Sequence, residues 1–245
     1  MGTPYCLCSG PVNIGTKKQL FLDELLVESK KGVTLTFNPP YLPTENLVPQ
    51  DKPWEKVRVG AYSCVQEYNG AYHLWYASYG GTEVESSPTL GPRFECYAVS
   101  TDGIHWEKPN LGVIPFRGSK DTNIVRGFNF GQTFIDPFDD ASRRFKTIQY
   151  QSPTRGWDGW PPASKVRGGN TYLSYSSDGI HWDIEPKPVL PFYFGAPSST
   201  VWDENLQKWV VYLRVNPDGH KTDPWGRHIA FALVLLTSER RSNYF

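Results

Sequence analysis

Short apolar stretches broken at intervals by polar turns run along most of this chain. Apolar and polar residues flank an Asn-Gly turn in residues 62–75, an Asp-Pro turn in 133–148 and an Asp-Glu-Asn turn in 200–212. Strand-length runs on both sides of such turns are typical of β-hairpins. The best helical candidate, residues 20–28, has a spacing that allows either a strand or a helical turn. The pattern therefore predicts an all-β fold.

One five-residue sequence, Asp-Gly-Ile-His-Trp, occurs twice, at residues 102–106 and 178–182. In such a turn a Ser or Thr and the Asp can hydrogen-bond the backbone, the Gly can adopt a positive φ, and the Trp can fill the gap between neighbouring sheets. We therefore interpret the Asp and His residues of both copies as turn-forming rather than catalytic. These residues are Asp102, His105, Asp178 and His181.

Each repeated unit consists of a hairpin, a variable loop and a strand that ends in this turn. Tyr72, Phe145 and Trp209 fall at equivalent positions of the three hairpins. Units of about 70 residues are typical of propeller blades with long connections. We expect a β-propeller of which only about three blades are encoded here.

The expected organisation is an N-terminal tail, 1–18, and a partial propeller domain, 19–245, with blade-like units at about 59–109, 128–186 and 196–245. Since propellers close with roughly four to eight blades, we interpret the chain as truncated. A shorter, unusual architecture stays open as the alternative.

Composition excludes some classes of partner. The chain has 25 Lys and Arg and 25 Asp and Glu residues, so no excess charge favours nucleic acid or an anionic membrane. No apolar segment is long enough to span a bilayer and no signal peptide is visible, which predicts a soluble protein whose compartment is open. Aromatic residues make up 15% of the chain, a proportion that suits both strands and sugar binding. Oligomeric state is open.

The four cysteines are Cys6, Cys8, Cys64 and Cys96. No second Cys or His pair follows the first two at zinc-site spacing, so we predict no metal site. Cys64 and Cys96 are interpreted as small buried apolar residues, and a disulfide between them stays open. We expect no cofactor, although a structural Ca²⁺ on a propeller axis remains a possibility that no loop specifies.

Four segments resemble a known superfamily. They are Gln-Leu-Phe-Leu-Asp-Glu-Leu-Leu-Val-Glu at 19–28, Asp-Lys-Pro-Trp-Glu at 51–55, Ser-Thr-Asp-Gly-Ile-His-Trp-Glu-Lys-Pro-Asn-Leu-Gly at 100–112, and Gly-Ser-Lys-Asp-Thr-Asn-Ile-Val at 118–125. Together they resemble the five-bladed propeller superfamily of glycoside hydrolases, which includes invertase, levansucrase and arabinanase-type enzymes, and most of all its uncharacterised bacterial members. The resemblance implies a carbohydrate substrate or ligand.

Enzymes of that superfamily use three carboxylates around the axis, because one carboxyl protonates the leaving oxygen while another attacks or stabilises the anomeric centre. The resemblance implies Asp51, with Glu55 close by, as the first-blade carboxylate. It implies Asp136 for the second blade, in a Phe-Ile-Asp-Pro sequence with isoleucine in place of the arginine of invertases. In the internal alignment Asp136 falls with Glu67 and Asp203 at hairpin turns, which would equally suit a structural role.

The third carboxylate, the general acid, is not found at an inner-strand position. Glu185, Glu204 and Glu239 lie elsewhere, and the sequence where the third inner strand begins is Gly-Ala-Pro-Ser-Ser at 195–199. Either the acid lies outside this chain or the protein does not hydrolyse sugars.

Five residues form the predicted substrate-binding set: Trp54, Arg58, Trp157, Asp158 and Trp160. The last three lie in a glycine-rich loop, and sugar C–H faces stack on such indole rings. Packing of these tryptophans under a neighbouring loop would explain them equally well.

The leading hypothesis is a glycoside hydrolase-like protein that cleaves a plant or microbial glycan by carboxylate acid/base catalysis. The alternative is a non-catalytic carbohydrate-binding or structural propeller fragment. A sialidase-type propeller is more distant, and its basis is that the repeated turn resembles an Asp-box.

Overall fold

The computed structural model describes residues 13–16, 24, 26–40, 42–80, 93–127, 131–151, 170–190, 198–215 and 228–234. The chain divides into two compact units, Met1–Thr44 and Glu45–Phe245. In the described part of the first unit the backbone forms bends and turns, such as the one closed by the hydrogen bond from Val27 N to Glu24 O. The predicted element at 20–28 lies largely outside the described residues.

The described part of the second unit is built almost entirely of strands, which confirms the predicted all-β class. The strands are β1 (Arg58–Tyr68), β2 (Ala71–Tyr79), β3 (Arg93–Ser100), β4 (Ile124–Gly127), β5 (Thr133–Ile135), β6 (Phe145–Gln151), β7 (Asn170–Ser176), β8 (Asp183–Ile184), β9 (Ser199–Asp203), β10 (Lys208–Val215) and β11 (His228–Val234). Two 3₁₀ turns, Pro53–Glu55 and Ala141–Arg143, accompany them. Among the described residues no helix has the length and apolar character to cross a membrane.

These strands pair antiparallel into three sheets. The first sheet has the order β1-β2-β3-β4, the second sheet β5-β6-β7-β8 and the third sheet β11-β10-β9. Asn69 and Gly70 link β1 to β2 with φ values of 51° and 76°. A two-residue Asn-Gly link with both φ values positive matches the right-handed twist of the flanking strands. The Asn-Gly hairpin predicted from the sequence is therefore confirmed.

The pairing register supports the alignment of the repeated units. Tyr72 lies opposite Ser100, and Phe145 lies opposite Ser176. Ser100 and Ser176 are the residues from which the two repeated turns begin, so the placement of Tyr72 and Phe145 at equivalent positions is confirmed. In the third sheet Trp209 lies between Trp202 and Val234.

Consecutive sheets pack face to face because residues alternate between the two sides of each strand. Between the first and second sheets the buried residues are Trp75, Tyr97, Val125 and Phe145. Between the second and third sheets they are Phe134, Ile148, Leu173, Trp209, Val211, Leu213 and Val234. Each interface combines large apolar side chains from both sheets, which provides the hydrophobic stabilisation of the unit.

The first strands of the three sheets lie side by side. Thr133 N donates to Cys64 Sγ at 3.1 Å, and Gln66 Nε2 donates to the Thr133 carbonyl at 3.0 Å. Gly131 and Ser198 form a parallel bridge between the starts of the next two first strands. The expected propeller brings its first strands together in this way, while closure into a ring stays a prediction.

The repeated turn forms as predicted from its residue types. Asp102 Oδ1 accepts hydrogen bonds from the N–H groups of Ile104 and His105, both at 2.8 Å, and Gly103 has a φ of +75°. Ser100 Oγ accepts from the N–H of Gly103 at 2.9 Å. The second copy repeats these contacts at Asp178, Ile180, His181, Gly179 and Ser176.

The second turn also joins two sheets. Trp75 Nε1, from the first sheet, donates to the Gly179 carbonyl at 2.7 Å, and Trp182 Nε1 donates to the same oxygen at 3.0 Å. Trp182 packs at the interface between the first and second sheets, in agreement with the predicted gap-filling role of this Trp.

Candidate functional site

The side chain of Asp51 meets a buried lysine at the start of the second unit. Lys108 Nζ lies 2.7 Å from Asp51 Oδ1, and it also donates to the Pro49 carbonyl at 2.5 Å. The Lys108 side chain is 5% exposed, whereas that of Asp51 is 52% exposed. One carboxylate oxygen of Asp51 is therefore held by a fixed cation while the group remains open to solvent.

Glu55 holds the same lysine from the protein interior. Lys108 Nζ contacts Glu55 Oε1 at 3.0 Å and Oε2 at 2.9 Å, and Glu55 is fully buried. The backbone N–H groups of Asp51 and Lys52 both donate to Glu55 Oε2 at 3.1 Å. Because buried charges need a partner and satisfied oxygens, this arrangement explains how Glu55 and Lys108 can both be buried.

A chain of hydrogen bonds continues from Glu55 into the first sheet. Tyr76 OH donates to Glu55 Oε1 at 2.7 Å, and Asn123 Nδ2 donates to Tyr76 OH at 2.7 Å. Trp54 Nε1 in turn donates to Asn123 Oδ1 at 2.9 Å. Trp54 is buried against the outer side of the first sheet, so its ring is packed rather than displayed to a ligand.

Charges around these groups shift two pKa values. Burial alone would raise the pKa of Asp51, but the Lys108 hydrogen bond and the charges of Lys108 and Lys52 bring this pKa below its usual value. Burial, followed by the charges of Cys96 and Glu55, raises the pKa of Tyr76 strongly. Asp51 is thus ionised at neutral pH and Tyr76 remains a hydrogen-bond donor.

Asp136 belongs to a separate buried cluster at the hairpin end of the second sheet. Lys146 Nζ contacts Asp136 Oδ2 at 2.5 Å and Asp139 Oδ2 at 2.7 Å, and both Asp136 and Lys146 are fully buried. Arg143 extends the cluster by ion pairs to Asp139, at 3.2 Å, and to Glu185, at 2.5 Å. The Asp136 carboxylate therefore does not face solvent, and Glu185 is engaged in an ion pair.

The remaining predicted residues do not join the Asp51 cluster in the described chain. Arg58 is exposed, with its guanidinium carbon 4.3 Å from the centre of the Tyr79 ring. Glu204 is exposed at the hairpin between β9 and β10. The predicted residues Trp157, Asp158, Trp160 and Glu239, together with most of the segment 195–199, lie outside the described residues.

The sequence reasoning missed Lys108 and Lys146, which organise the two clusters. A signal for both was present in the internal alignment. Two residues after the repeated Trp, Lys108 stands where the second copy has Ile184, and Lys146 directly follows Phe145 where the other hairpins have His73 and Val210. A lysine at only one of several equivalent strand positions indicates a buried partner specific to that unit.

A third buried ion pair, also missed, lies between the first and second sheets. Arg126 Nε contacts Glu95 Oε2, and the Arg126 guanidinium lies 4.2 Å from the centre of the Trp182 ring. Arg126 NH1 is buried without a hydrogen-bond partner. In the part of the chain that the structure describes, no three or more His, Cys, Asp or Glu side chains are grouped to hold a metal ion.

Comparison with known proteins gives only distant likenesses. No protein-family model and no curated protein sequence matches the chain. One similar solved structure is a complex of BT0996 and RGII, with 13% identity, a TM-score of 0.41, and coverage of 70% of this protein and 53% of that one. Another, described as a glycoside hydrolase, has 14% identity, a TM-score of 0.41 and the same two coverages.

A third similar structure is a "putative exo-beta-1,3-galactanase from Bifidobacterium bifidum s17", with 13% identity and a TM-score of 0.35, covering 62% of this chain and 44% of that one. The chain thus spans about half the length of the structures it resembles. At these identities and TM-scores no family follows, and function has to be argued from the side chains themselves.

Proposed function

We propose that this chain is a glycoside hydrolase-like protein that acts on a plant or microbial glycan, with Asp51 as the carboxylate that contacts the sugar. The observation that carries the proposal is the contrast between Asp51, which is half exposed, and its buried partner Lys108. Cleavage of a glycosidic bond needs one ionised carboxylate, as base or nucleophile, at a fixed position. Asp51 meets both requirements.

Glu55 has a different role in this proposal. It is fully buried and accepts hydrogen bonds from Lys108, Tyr76 and two backbone N–H groups, so its oxygens are used inside the protein. We assign Glu55 as a positioning residue that fixes Lys108, and through Lys108 the carboxylate of Asp51. Asp136 is likewise buried, and Lys146 holds it within its own cluster.

The test is sugar release from a panel of plant and microbial glycans by the full chain and by Asp51→Asn. Loss of a general base or nucleophile lowers the rate by about 100-fold or more. Asp121→Asn, which changes an exposed aspartate outside the cluster, serves as the matched control and keeps the wild-type rate. Equal rates for wild type and Asp51→Asn would remove Asp51 from the mechanism.

A second variant tests the role of the lysine. Because Lys108 lowers the pKa of Asp51, Lys108→Met is expected to move the acidic limb of the pH–rate profile to higher pH. A merely structural role of Lys108 would lower the amount of folded protein and leave the position of that limb unchanged.

A non-catalytic glycan-binding function is the second candidate, and one observation favours it. Of the three predicted catalytic carboxylates, all of them within the described residues, Glu55 and Asp136 are fully buried, so Asp51 has no accessible acid beside it from this set. Titration calorimetry with the same glycans distinguishes the two functions. Binding that needs Asp51 but releases no sugar supports the second candidate, whereas release that needs Asp51 supports the first.

A further inference from the structure

The outer side of the third sheet carries a row of exposed apolar residues. On β11 the residues that face the second sheet, Ala232 and Val234, belong to the core, while those between them face outward. The outward residues are Val201, Tyr212, Ile229, Phe231 and Leu233, and we call them the third-sheet face. Apolar patches of this kind on soluble proteins mark contact sites.

Register shows what kind of surface this face matches. Three residues after Tyr72, Trp75 lies opposite Tyr97, and three residues after Phe145, Ile148 lies opposite Leu173. Both cross-strand pairs are buried because the following sheet packs on them.

The same position in the third sheet is uncovered. Three residues after Trp209, Tyr212 lies opposite Phe231, and these residues are 47% and 68% exposed. In the first two interfaces the covering aromatic is Phe145 or Trp209, from the next sheet. The third-sheet face therefore repeats a surface that, twice in this molecule, is buried under another β-sheet.

We infer that the third-sheet face packs against the same face of a second copy of this chain, in a two-fold symmetric dimer. The far side of the first sheet is already covered by Trp54, Trp106 and Phe116, so a second copy cannot offer that side. Among the described residues, the sheet side that remains apolar and uncovered is the third-sheet face itself.

Two copies of this face are compatible with each other. A two-fold axis brings identical patches together, and apolar patches meet in this way without like-charge repulsion. The charged residues of the same side, Asp203 and Lys208, stand opposite each other across β9 and β10 and have opposite signs. Sheets that stack face to face at about 10 Å are also how this chain builds its own core.

The experiment measures the mass of the full chain by sedimentation velocity over a range of concentrations. Wild type is expected to form dimers at micromolar concentration. Ile229→Lys is expected to raise the dissociation constant at least tenfold, because a charge would be buried without a partner. Ile229 is 84% exposed in the single chain, so this variant does not disturb the monomer.

Matched variants keep the test sharp. Phe231→Lys should act as Ile229→Lys does, whereas Ile104→Lys, which replaces an equally apolar residue that is 55% exposed in the first repeated turn, should leave the dimer intact. Circular dichroism and thermal melting confirm that each variant is folded. Hydrogen exchange of β10 and β11 should slow as concentration rises.

Two results overturn the inference. A wild-type chain that stays monomeric throughout the concentration range would assign the face to another partner. A dimer that survives both lysine substitutions on β11 would show that the copies associate elsewhere, for example by pairing of strand edges.

Discussion

Substitution of alanine for Gly179 tests the contact between the second repeated turn and the first sheet. A methyl group on Gly179 would lie 2.6 Å from Cζ2 of Trp75, far inside van der Waals contact. Trp75 is fully buried and donates a hydrogen bond to the Gly179 carbonyl, so its ring has no room to move away. Overpacking of this kind costs about 1–3 kcal/mol.

The first repeated turn supplies the matched control. Gly103 and Gly179 have φ values of +75° and +76°, so alanine is strained equally at both, by about 1–2 kcal/mol. At Gly103 the nearest atom to the added methyl group would be Tyr72 Cδ2, at 3.8 Å, which is an ordinary contact. The expected losses are therefore about 1–2 kcal/mol for Gly103→Ala and about 2–5 kcal/mol for Gly179→Ala.

Urea unfolding of the two variants measures this difference. A third protein, Gly179→Ala combined with Trp75→Phe, removes the ring atom that the methyl group would meet. The combined loss should then be smaller than the sum of the two single losses. Equal losses for Gly103→Ala and Gly179→Ala would refute the reasoning, since they would show that Trp75 does not press on the second turn.

Two further predictions concern charges. Arg126→Met leaves the carboxylate of Glu95 buried and unpaired, so it should lower the free energy of unfolding by about 3–5 kcal/mol, and adding Glu95→Met should restore most of that loss. A double variant no more stable than Arg126→Met in urea would contradict the pairing. Burial would raise the pKa of Asp178, but hydrogen bonds from the His181 side chain and the turn backbone lower it to about 2.

The pH dependence follows from the Asp178 shift. An unfolded aspartate has a pKa of about 3.9, so the folded protein holds its carboxylate ionised to lower pH than the unfolded chain does. This contribution is present above about pH 4 and is lost as pH falls towards the folded pKa of about 2. Asp178→Asn should flatten that part of the stability curve, and an unchanged slope would contradict the assignment.

Local signals made the turns and hairpins predictable. Asn69 and Gly70, and the glycines of the two repeated turns, adopt positive φ values that other residues avoid, so their sequence alone indicates the bend. The opposition of Tyr72 and Phe145 to the turn serines follows from strand register, which the turns themselves fix. Architecture was therefore open to prediction wherever the determinant was a few residues long.

The roles of the predicted carboxylates were not predictable for the opposite reason. Asp51 and Glu55 are four residues apart and chemically alike, yet one is half exposed and the other fully buried. What separates them is a set of contacts from distant parts of the chain, namely Lys108, Tyr76 and Asn123. No local pattern specifies partners that lie on other strands and loops.

The location of the Asp51 cluster follows from how the first sheet is covered. The second and third sheets each pack on the sheet before them, whereas the far side of the first sheet is covered by the segment that contains Trp54.

Glu107 and Asp183 bridge to equivalent strand positions, so the next residues, Lys108 and Ile184, are also equivalent. Ile184 simply extends β8, but Lys108 meets the carboxylates of the covering segment, whose polar groups a packed sheet would not have brought there. The proposed site is therefore a consequence of closing the sheet stack with an irregular segment. Its chemistry rests on residues that the repeat does not share.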